Sequence, residues 1–283
     1  MKKTVNFLLY GNFFIASCAL AQTLQTCRIL HFKTESFNFL SIFITAATFV
    51  LYNLHKPITF LLKQQVIENQ RFRLTKQFSR PLSILTVLAV VLCCFLFFKL
   101  KILTQLILVA AAFLSLGYIL PVLGGGRRLR DLAFLKIFLI AIVWSVVTVI
   151  LPTAEMGGAT AFDGKIGLLF IERAAFIFAL TMPFDIRDMA WDSATEVQTI
   201  PLSIGIGRAK YLAFAALIFS FSMSCVLCKM GIYSIGQLAA VGFSLVVSGG
   251  VVSFSNENRS DYFFYGLTDG MMWLQSGLLF FAF

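Results

Sequence analysis

The stretch FLKIFLIAIVWSVVTVILP, residues 134–152, carries one charged side chain, Lys136, in nineteen consecutive positions. A helix that crosses a bilayer needs about 20 mainly apolar residues. Because lipid offers no hydrogen-bond partners, the backbone of such a segment has to satisfy its polar groups internally, as an α-helix does. The stretch therefore predicts a membrane-spanning helix.

Eight further segments have the same character. They cover residues 4–22, 38–55, 82–98, 102–123, 166–184, 210–229, 232–252 and 263–282. The first follows Lys2 and Lys3, as the apolar part of a signal peptide would, but Asn6 and Asn12 interrupt it and we expect it to remain as a helix. The sequence thus predicts an all-α, polytopic membrane bundle of about nine transmembrane helices, with residues 1–283 forming one membrane domain.

Composition and charge agree with a membrane protein. Hydrophobic residues make up 59% of the 283 residues and charged residues 13%, about half the charge of a soluble domain. Sixteen of the 23 Lys and Arg residues fall on the side of the N-terminus and six on the other side, with Arg173 inside a span. Basic loops stay in the cytoplasm, so we expect a multi-pass protein of a bacterial inner (plasma) membrane with a cytoplasmic N-terminus.

The net charge of +10 is explained by this topology and by attraction to anionic membrane lipids. Basic residues do not cluster on a soluble domain, so we expect no nucleic-acid partner. The oligomeric state is left open by the sequence.

The segment DIRDMAWD, residues 185–192, follows the sixth span and is the most informative polar stretch. On one helix, Asp185, Asp188 and Asp192 share a face, while Arg187 points away. Like charges at these spacings repel, and the helix dipole opposes carboxylates at a C-terminus. A bound cation would relieve both penalties, and Mg²⁺ prefers such oxygen ligands. The alternative is a solvated polar loop.

The same segment, followed by Thr199-Ile200-Pro201 and Gly205, resembles the second Asp-rich signature of the UbiA superfamily of intramembrane prenyltransferases. The resemblance implies a helical bundle with a cavity open to the cytoplasm and the bilayer. It implies that Asp185, Asp188 and Asp192 are catalytic and ligate Mg²⁺. It also implies transfer of an isoprenyl group from an allylic diphosphate to a lipophilic acceptor, with neither donor length nor acceptor specified.

Basic residues near this segment are candidates for holding the diphosphate. Arg128 and Lys136 flank one predicted cytoplasmic loop, and Arg208 and Lys210 follow the aspartates. Positive charge beside a departing diphosphate stabilises the transition state. The inside-positive topology explains each of these residues equally well.

The first Asp-rich signature of the superfamily, NDxxDxxxD, is degenerate here. Asn53 is present, but Leu54, Pro57 and Leu61 stand at the three acidic positions. We expect Asn53, His55 and Lys56 to contact phosphate directly in place of one metal ion. Two alternatives stay open. His55 is equally explained as a boundary residue near lipid headgroups, and the whole chain could be a non-catalytic isoprenoid-binding protein or membrane scaffold.

Three further charged residues lie in predicted spans. Glu172 and Arg173 are neighbours in the sixth span, where charges are costly, and helix geometry requires each to find a partner on another helix. We expect an interhelix pair. Asp269, in the last span, is expected to face the cavity. Small-solute transport is disfavoured because no pair of interrupted helices indicates a midplane site.

Overall fold

The computed structural model describes residues 2–32, 38–62, 77–121, 128–195 and 197–282, and only the backbone of Lys2 and of residues 55–62. These ranges contain helices and connecting turns and no strand. The prediction of an all-α protein is confirmed.

Twelve α-helices are named here in chain order over the described ranges. They are α1 Lys2–Tyr10, α2 Phe13–Ile29, α3 Phe39–Leu62, α4 Ser79–Phe97, α5 Ile102–Ile119, α6 Leu135–Gly157, α7 Gly164–Arg187, α8 Met189–Ala194, α9 Ile200–Ile204, α10 Ile206–Lys229, α11 Ile235–Phe254 and α12 Asp269–Phe281. A π-helical segment, Phe263–Thr268, leads into α12, and two more, Val146–Ile150 and Thr153–Gly157, lie within α6.

Over the described residues, each predicted span is mainly helical, but not every helix is long and apolar enough to cross a bilayer alone. In the described residues six helices meet that standard, namely α4, α5, α6, α7, α10 and α11, or seven if α1 and α2 count as one broken span. Large apolar side chains such as Ile84, Val87 and Val91 are exposed along α4, as expected of a helix that faces lipid. The chain is an integral multi-pass membrane protein, and the count of nine stays a prediction.

The first predicted span is wrong in one respect, because it is two helices bent by 60° at Gly11–Asn12. Asn12 has a left-handed backbone with φ 64°, a conformation that Asn tolerates better than most residues. The side chain of Asn53 on α3 secures the break. Its Nδ2 donates to the Gly11 carbonyl at 3.1 Å and to the Phe49 carbonyl at 2.9 Å, and its Oδ1 accepts from Asn12 Nδ2 at 3.0 Å.

The helices form a closed ring in which the first and last spans touch. Neighbours around it include α6, α7, α10, α11, α12, α2 and α3. At the closing contact, Gln22 Nε2 of α2 donates to the Met272 carbonyl at 3.0 Å and to Ser276 Oγ at 3.2 Å. Ser276 Oγ donates in turn to Gln25 Oε1 at 2.9 Å. Polar side chains thus join two helices about 250 residues apart in sequence.

Glu172 and Arg173 are both fully buried on α7 and find interhelix partners, but not charged ones. Glu172 Oε1 accepts from Ser220 and Ser224 of α10 at 3.3 Å each. Arg173 Nη1 donates to Thr148 Oγ1 at 3.2 Å. The expectation of partners on other helices is confirmed, while the described contacts are to neutral groups and not an ion pair.

Candidate functional site

The loop before α6 and the stretch after α7 meet at one end of the bundle. A 3₁₀ turn, Leu129–Asp131, precedes α6, and Phe134 N donates to the Gln198 carbonyl at 3.1 Å. This bond ties the start of α6 to the segment beyond the aspartates. Lys136, in the first turn of α6, is thereby brought against the end of α7.

The three aspartates do not lie on one uninterrupted helix, which corrects the sequence-based prediction. Helix α7 ends at Arg187 and α8 begins at Met189, with Asp188 between them at φ −91° and ψ 6°. The turn continues across this break, since Asp192 N donates to the Asp188 carbonyl at 2.8 Å. The carboxylates of Asp185 and Asp192 meet at one point, whereas Asp188 has a separate partner.

Lys136 is the point at which Asp185 and Asp192 meet. Its Nζ lies 2.8 Å from Asp185 Oδ1 and 3.1 Å from Asp192 Oδ2. All three side chains are buried, the lysine with 8% of its side chain exposed. The ammonium donates a charge-assisted hydrogen bond to Asp192 and forms an ion pair with Asp185. The sequence identified all three residues as site residues but assigned the cation role to a metal.

Asp188 is paired with its own neighbour. Arg187 Nε and Nη2 donate to its two carboxylate oxygens at 2.8 and 3.0 Å, so the expectation that Arg187 points away is wrong. The guanidinium also lies 5.0 Å from the ring centroids of Phe184 and Phe264 and 5.2 Å from that of Tyr265. Cation–π contacts of this kind fix the arginine in place. No feature of the sequence had indicated this aromatic setting.

Arg128 and Arg130 stand beside the aspartates in different settings. Arg128 binds Asp131 through Nε and Nη2 at 3.0 and 2.9 Å, so its predicted role toward diphosphate competes with a role in capping the turn. The guanidinium of Arg130 is buried and lies 5.2 Å from the ring of Tyr118. Burial lowers the pKa of Arg130, but the charges of Tyr118 and Asp192 more than compensate and the pKa is raised. The sequence had not separated Arg130 from its basic neighbours.

An open cavity of about 590 Å³ adjoins this end of the bundle. Its lining comprises Asp192, Ser193, Val197, Gln198, Leu202 and Ser203. Burial raises the pKa of Asp192, although the nearby Lys136 charge lowers it in part. Asp192 therefore contacts Lys136 and also borders a space through which a ligand could approach.

The remaining predicted binding residues lie elsewhere or outside the description. Arg208 is exposed on α10, and Lys210 donates to the Ser253 carbonyl at 2.8 Å, so in the described contacts neither joins the Lys136 group. Both amide hydrogens of Asn53 are used at the α1–α2 break. The side chains of His55 and Lys56 lie outside the described residues, and their phosphate role stays a prediction.

The residues present do not fit a Mg²⁺ ion in this arrangement. Within the described part of the chain, no group of three or more His, Cys, Asp and Glu side chains could hold a metal ion. The Lys136 ammonium occupies the position between Asp185 and Asp192 that a cation would take. Asp188 directs both oxygens to Arg187. The three-carboxylate metal site therefore stays a prediction that the described geometry does not support.

No protein-family model and no curated protein matches the chain. Solved structures do match it. A UbiA homolog from Archaeoglobus fulgidus bound to GPP and Mg²⁺ aligns with a TM-score of 0.64 at 10% identity, over 98% of this chain and 99% of that one. The homolog bound to DMAPP and Mg²⁺ aligns with a TM-score of 0.63 at 12% identity, over 98% of each chain.

A structure from work on digeranylgeranylglyceryl phosphate synthase in membranes aligns with a TM-score of 0.58 at 12% identity, over 100% of this chain and 97% of that one. Likeness at 10–12% identity establishes architecture and not activity. The resemblance read from residues 185–205 is confirmed at that level: the chain has the fold of UbiA homologs.

Proposed function

We propose that the chain transfers an isoprenyl group from an allylic diphosphate to a lipophilic acceptor within the membrane. The observation that carries the proposal is the buried Lys136, held by Asp185 and Asp192 next to an open cavity. UbiA homologs of the same fold have been solved with DMAPP and with GPP. The match of residues 185–205 to the second Asp-rich signature supports the same class of reaction.

The reaction breaks the bond between the allylic carbon and the diphosphate oxygen, and the electron pair leaves with the diphosphate. The acceptor's nucleophilic atom then bonds to the allylic carbon and releases a proton. Negative charge grows on the diphosphate in the transition state, so cations held close to it accelerate the step. Lys136 and Arg130 are the described side chains that would supply this charge.

Carbocation stabilisation is a separate requirement. Aromatic faces attract cations, but the rings of Phe184, Phe264 and Tyr265 already surround the Arg187 guanidinium. These three rings therefore act on Arg187, and we do not assign them to the allylic cation.

We place the Lys136 end of the bundle on the cytoplasmic side of a bacterial inner membrane. The sixteen-to-six distribution of basic residues supports this orientation. The diphosphate group of the donor is polar and its isoprenyl chain is apolar. A cytoplasmic opening would admit the diphosphate group while the isoprenyl chain stays in the apolar part of the bundle.

The test is diphosphate release by purified protein in detergent or lipid, with DMAPP, GPP and longer donors crossed with phenolic and glycerol-based acceptors. We expect release with at least one pair, and we expect Lys136→Met to lose most of it. Lys229→Met, which removes an exposed lysine at the opposite end of α10, is the matched control and should retain activity. If every donor–acceptor pair gives no release, the proposal fails.

A second candidate function is isoprenoid binding without catalysis. Two observations favour it: Leu54, Pro57 and Leu61 replace the acids of the first signature, and Asp188 is engaged by Arg187. Binding of GPP with no diphosphate release under any of the conditions above would favour this alternative. Turnover with any pair would eliminate it.

A further inference from the structure

The two segments that form the candidate site balance their charges without a metal ion. Residues 128–136 and 185–192 contain four carboxylates and four cationic side chains. Asp131 is bound by Arg128 and Asp188 by Arg187. Asp185 and Asp192 share Lys136, and the fourth cationic side chain, Arg130, is buried in the same segment as Lys136. A divalent cation is attracted by a surplus of negative charge, and these segments have none.

The position of Lys136 is the decisive feature. An ammonium at 2.8 and 3.1 Å from two carboxylates occupies the space in which Mg²⁺ would need oxygen ligands at about 2.1 Å. The lysine is covalently part of the chain, so it is present at this point at every Mg²⁺ concentration. A metal ion could enter only by displacing it into a buried environment, where an unpaired ammonium is costly.

The degenerate first Asp-rich signature also argues against a bound metal ion. In the family signature, acids at the positions of Leu54, Pro57 and Leu61 would supply oxygens to a second ion. These residues have no oxygen ligand in their side chains. Leu54, Pro57 and Leu61 therefore supply no carboxylate for a second ion.

We infer that Lys136 takes the place of a metal ion, and that the site binds a diphosphate anion without requiring Mg²⁺. The inference deepens the proposed function and rests on it for the identity of the anion. Lys136 and Arg130 would meet the phosphate oxygens directly. Arg128 adds a buried Nη1 that has no hydrogen-bond partner within the described residues.

The experiment measures melting temperatures of the purified full chain with Mg²⁺ alone, and with inorganic pyrophosphate in EDTA or in Mg²⁺. Free pyrophosphate is held constant between the two buffers, because Mg²⁺ complexes it in solution. For wild type we expect no shift with Mg²⁺ alone. We expect pyrophosphate to raise the melting temperature in both buffers, with dissociation constants within about threefold of each other.

Two variants give a readout that does not depend on activity. Lys136→Met leaves Asp185 and Asp192 without a cation, so its melting temperature should fall and Mg²⁺ alone should partly restore it. Lys136→Met combined with Asp185→Asn removes one carboxylate together with the lysine and should lose the response to Mg²⁺. Lys229→Met should behave as wild type in every condition.

A rise in the wild-type melting temperature with Mg²⁺ alone would overturn the inference, as would pyrophosphate binding that disappears in EDTA. These wild-type measurements decide the question even if Lys136→Met does not fold. The two proposals fail separately. Metal-free pyrophosphate binding without isoprenyl transfer would support the inference and refute the proposed reaction. Isoprenyl transfer that requires Mg²⁺ would support the proposed reaction and refute the inference.

Discussion

Replacing Asn53 by Ala separates a structural role of this residue from the phosphate-binding role that its sequence position suggests. The side chain makes three hydrogen bonds, to Gly11, Phe49 and Asn12, at 2.9–3.1 Å and in a buried setting. At about 1 kcal/mol for each bond, Asn53→Ala should lower the free energy of unfolding by about 3 kcal/mol. For a chain of this size that is roughly 6–12 °C in melting temperature.

The assay is thermal unfolding in detergent, paired with GPP titration at a temperature at which both proteins are folded. We expect a lower melting temperature and little change in GPP affinity for the folded fraction. Asn53→Asp keeps the acceptor for Asn12 and removes both donors, so it should also destabilise. Exposed Asn258→Ala is the control and should melt as wild type. Wild-type melting of Asn53→Ala together with a large loss of GPP affinity would refute the structural assignment.

Three other predictions address the core, the loop before α6 and the topology. Arg173→Ala should destabilise the protein by about 3–5 kcal/mol in denaturant unfolding, because it opens a cavity at a fully buried residue and removes the hydrogen bond to Thr148 Oγ1. A loss below about 1 kcal/mol would contradict this. Partial burial raises the pKa of Asp131, but hydrogen bonds and charge from Arg128 hold it below its ordinary value. Ionised Asp131 therefore adds stability above about pH 4, and this stability is lost as the pH falls through the lowered pKa. The difference in melting temperature between wild type and Asp131→Asn should be constant above about pH 5 and shrink below pH 4. A difference in melting temperature that does not depend on pH would argue against the ion pair. Finally, loops 56–81, 124–133 and 185–209 are predicted to be cytoplasmic. A single cysteine that replaces Gln70 in a cysteine-free background should therefore resist an impermeant thiol reagent in intact cells. Strong labelling would show that the orientation is the reverse of the predicted one.

The helical class was predictable because it depends on an additive property. Apolar runs of about 20 residues identify spans without reference to other parts of the chain. The break at Gly11–Asn12 was not predicted, since it depends on Asn53 of another helix. Asn6 and Asn12 were visible as interruptions of the first span, but whether an interruption bends a helix is decided by the partner it finds.

The sequence predicted which residues form the candidate site, but not which of them contact one another. Periodicity brought Asp185 and Asp192 to one side, and the structure does the same. Helix geometry alone could not show that Lys136 would lie between them, because that contact joins residues about fifty positions apart. The pairing of Asp188 with Arg187 violates the simple rule that adjacent residues face apart, and the end of α7 at Arg187 makes it possible.

The closing contact between α2 and α12 has a consequence for biogenesis. Gln22 and Gln25 enter the membrane early in synthesis. Met272 and Ser276, which bond to Gln22 Nε2 and Gln25 Oε1, emerge about 250 residues later. At a translation rate of about 5–20 residues per second, the early helix waits tens of seconds with amide groups unpaired in a medium that penalises them. During that interval α2 needs a substitute partner, from water, the insertion machinery or an earlier-formed helix. The contact between α2 and α12 that closes the ring can therefore form only after α12 has been inserted.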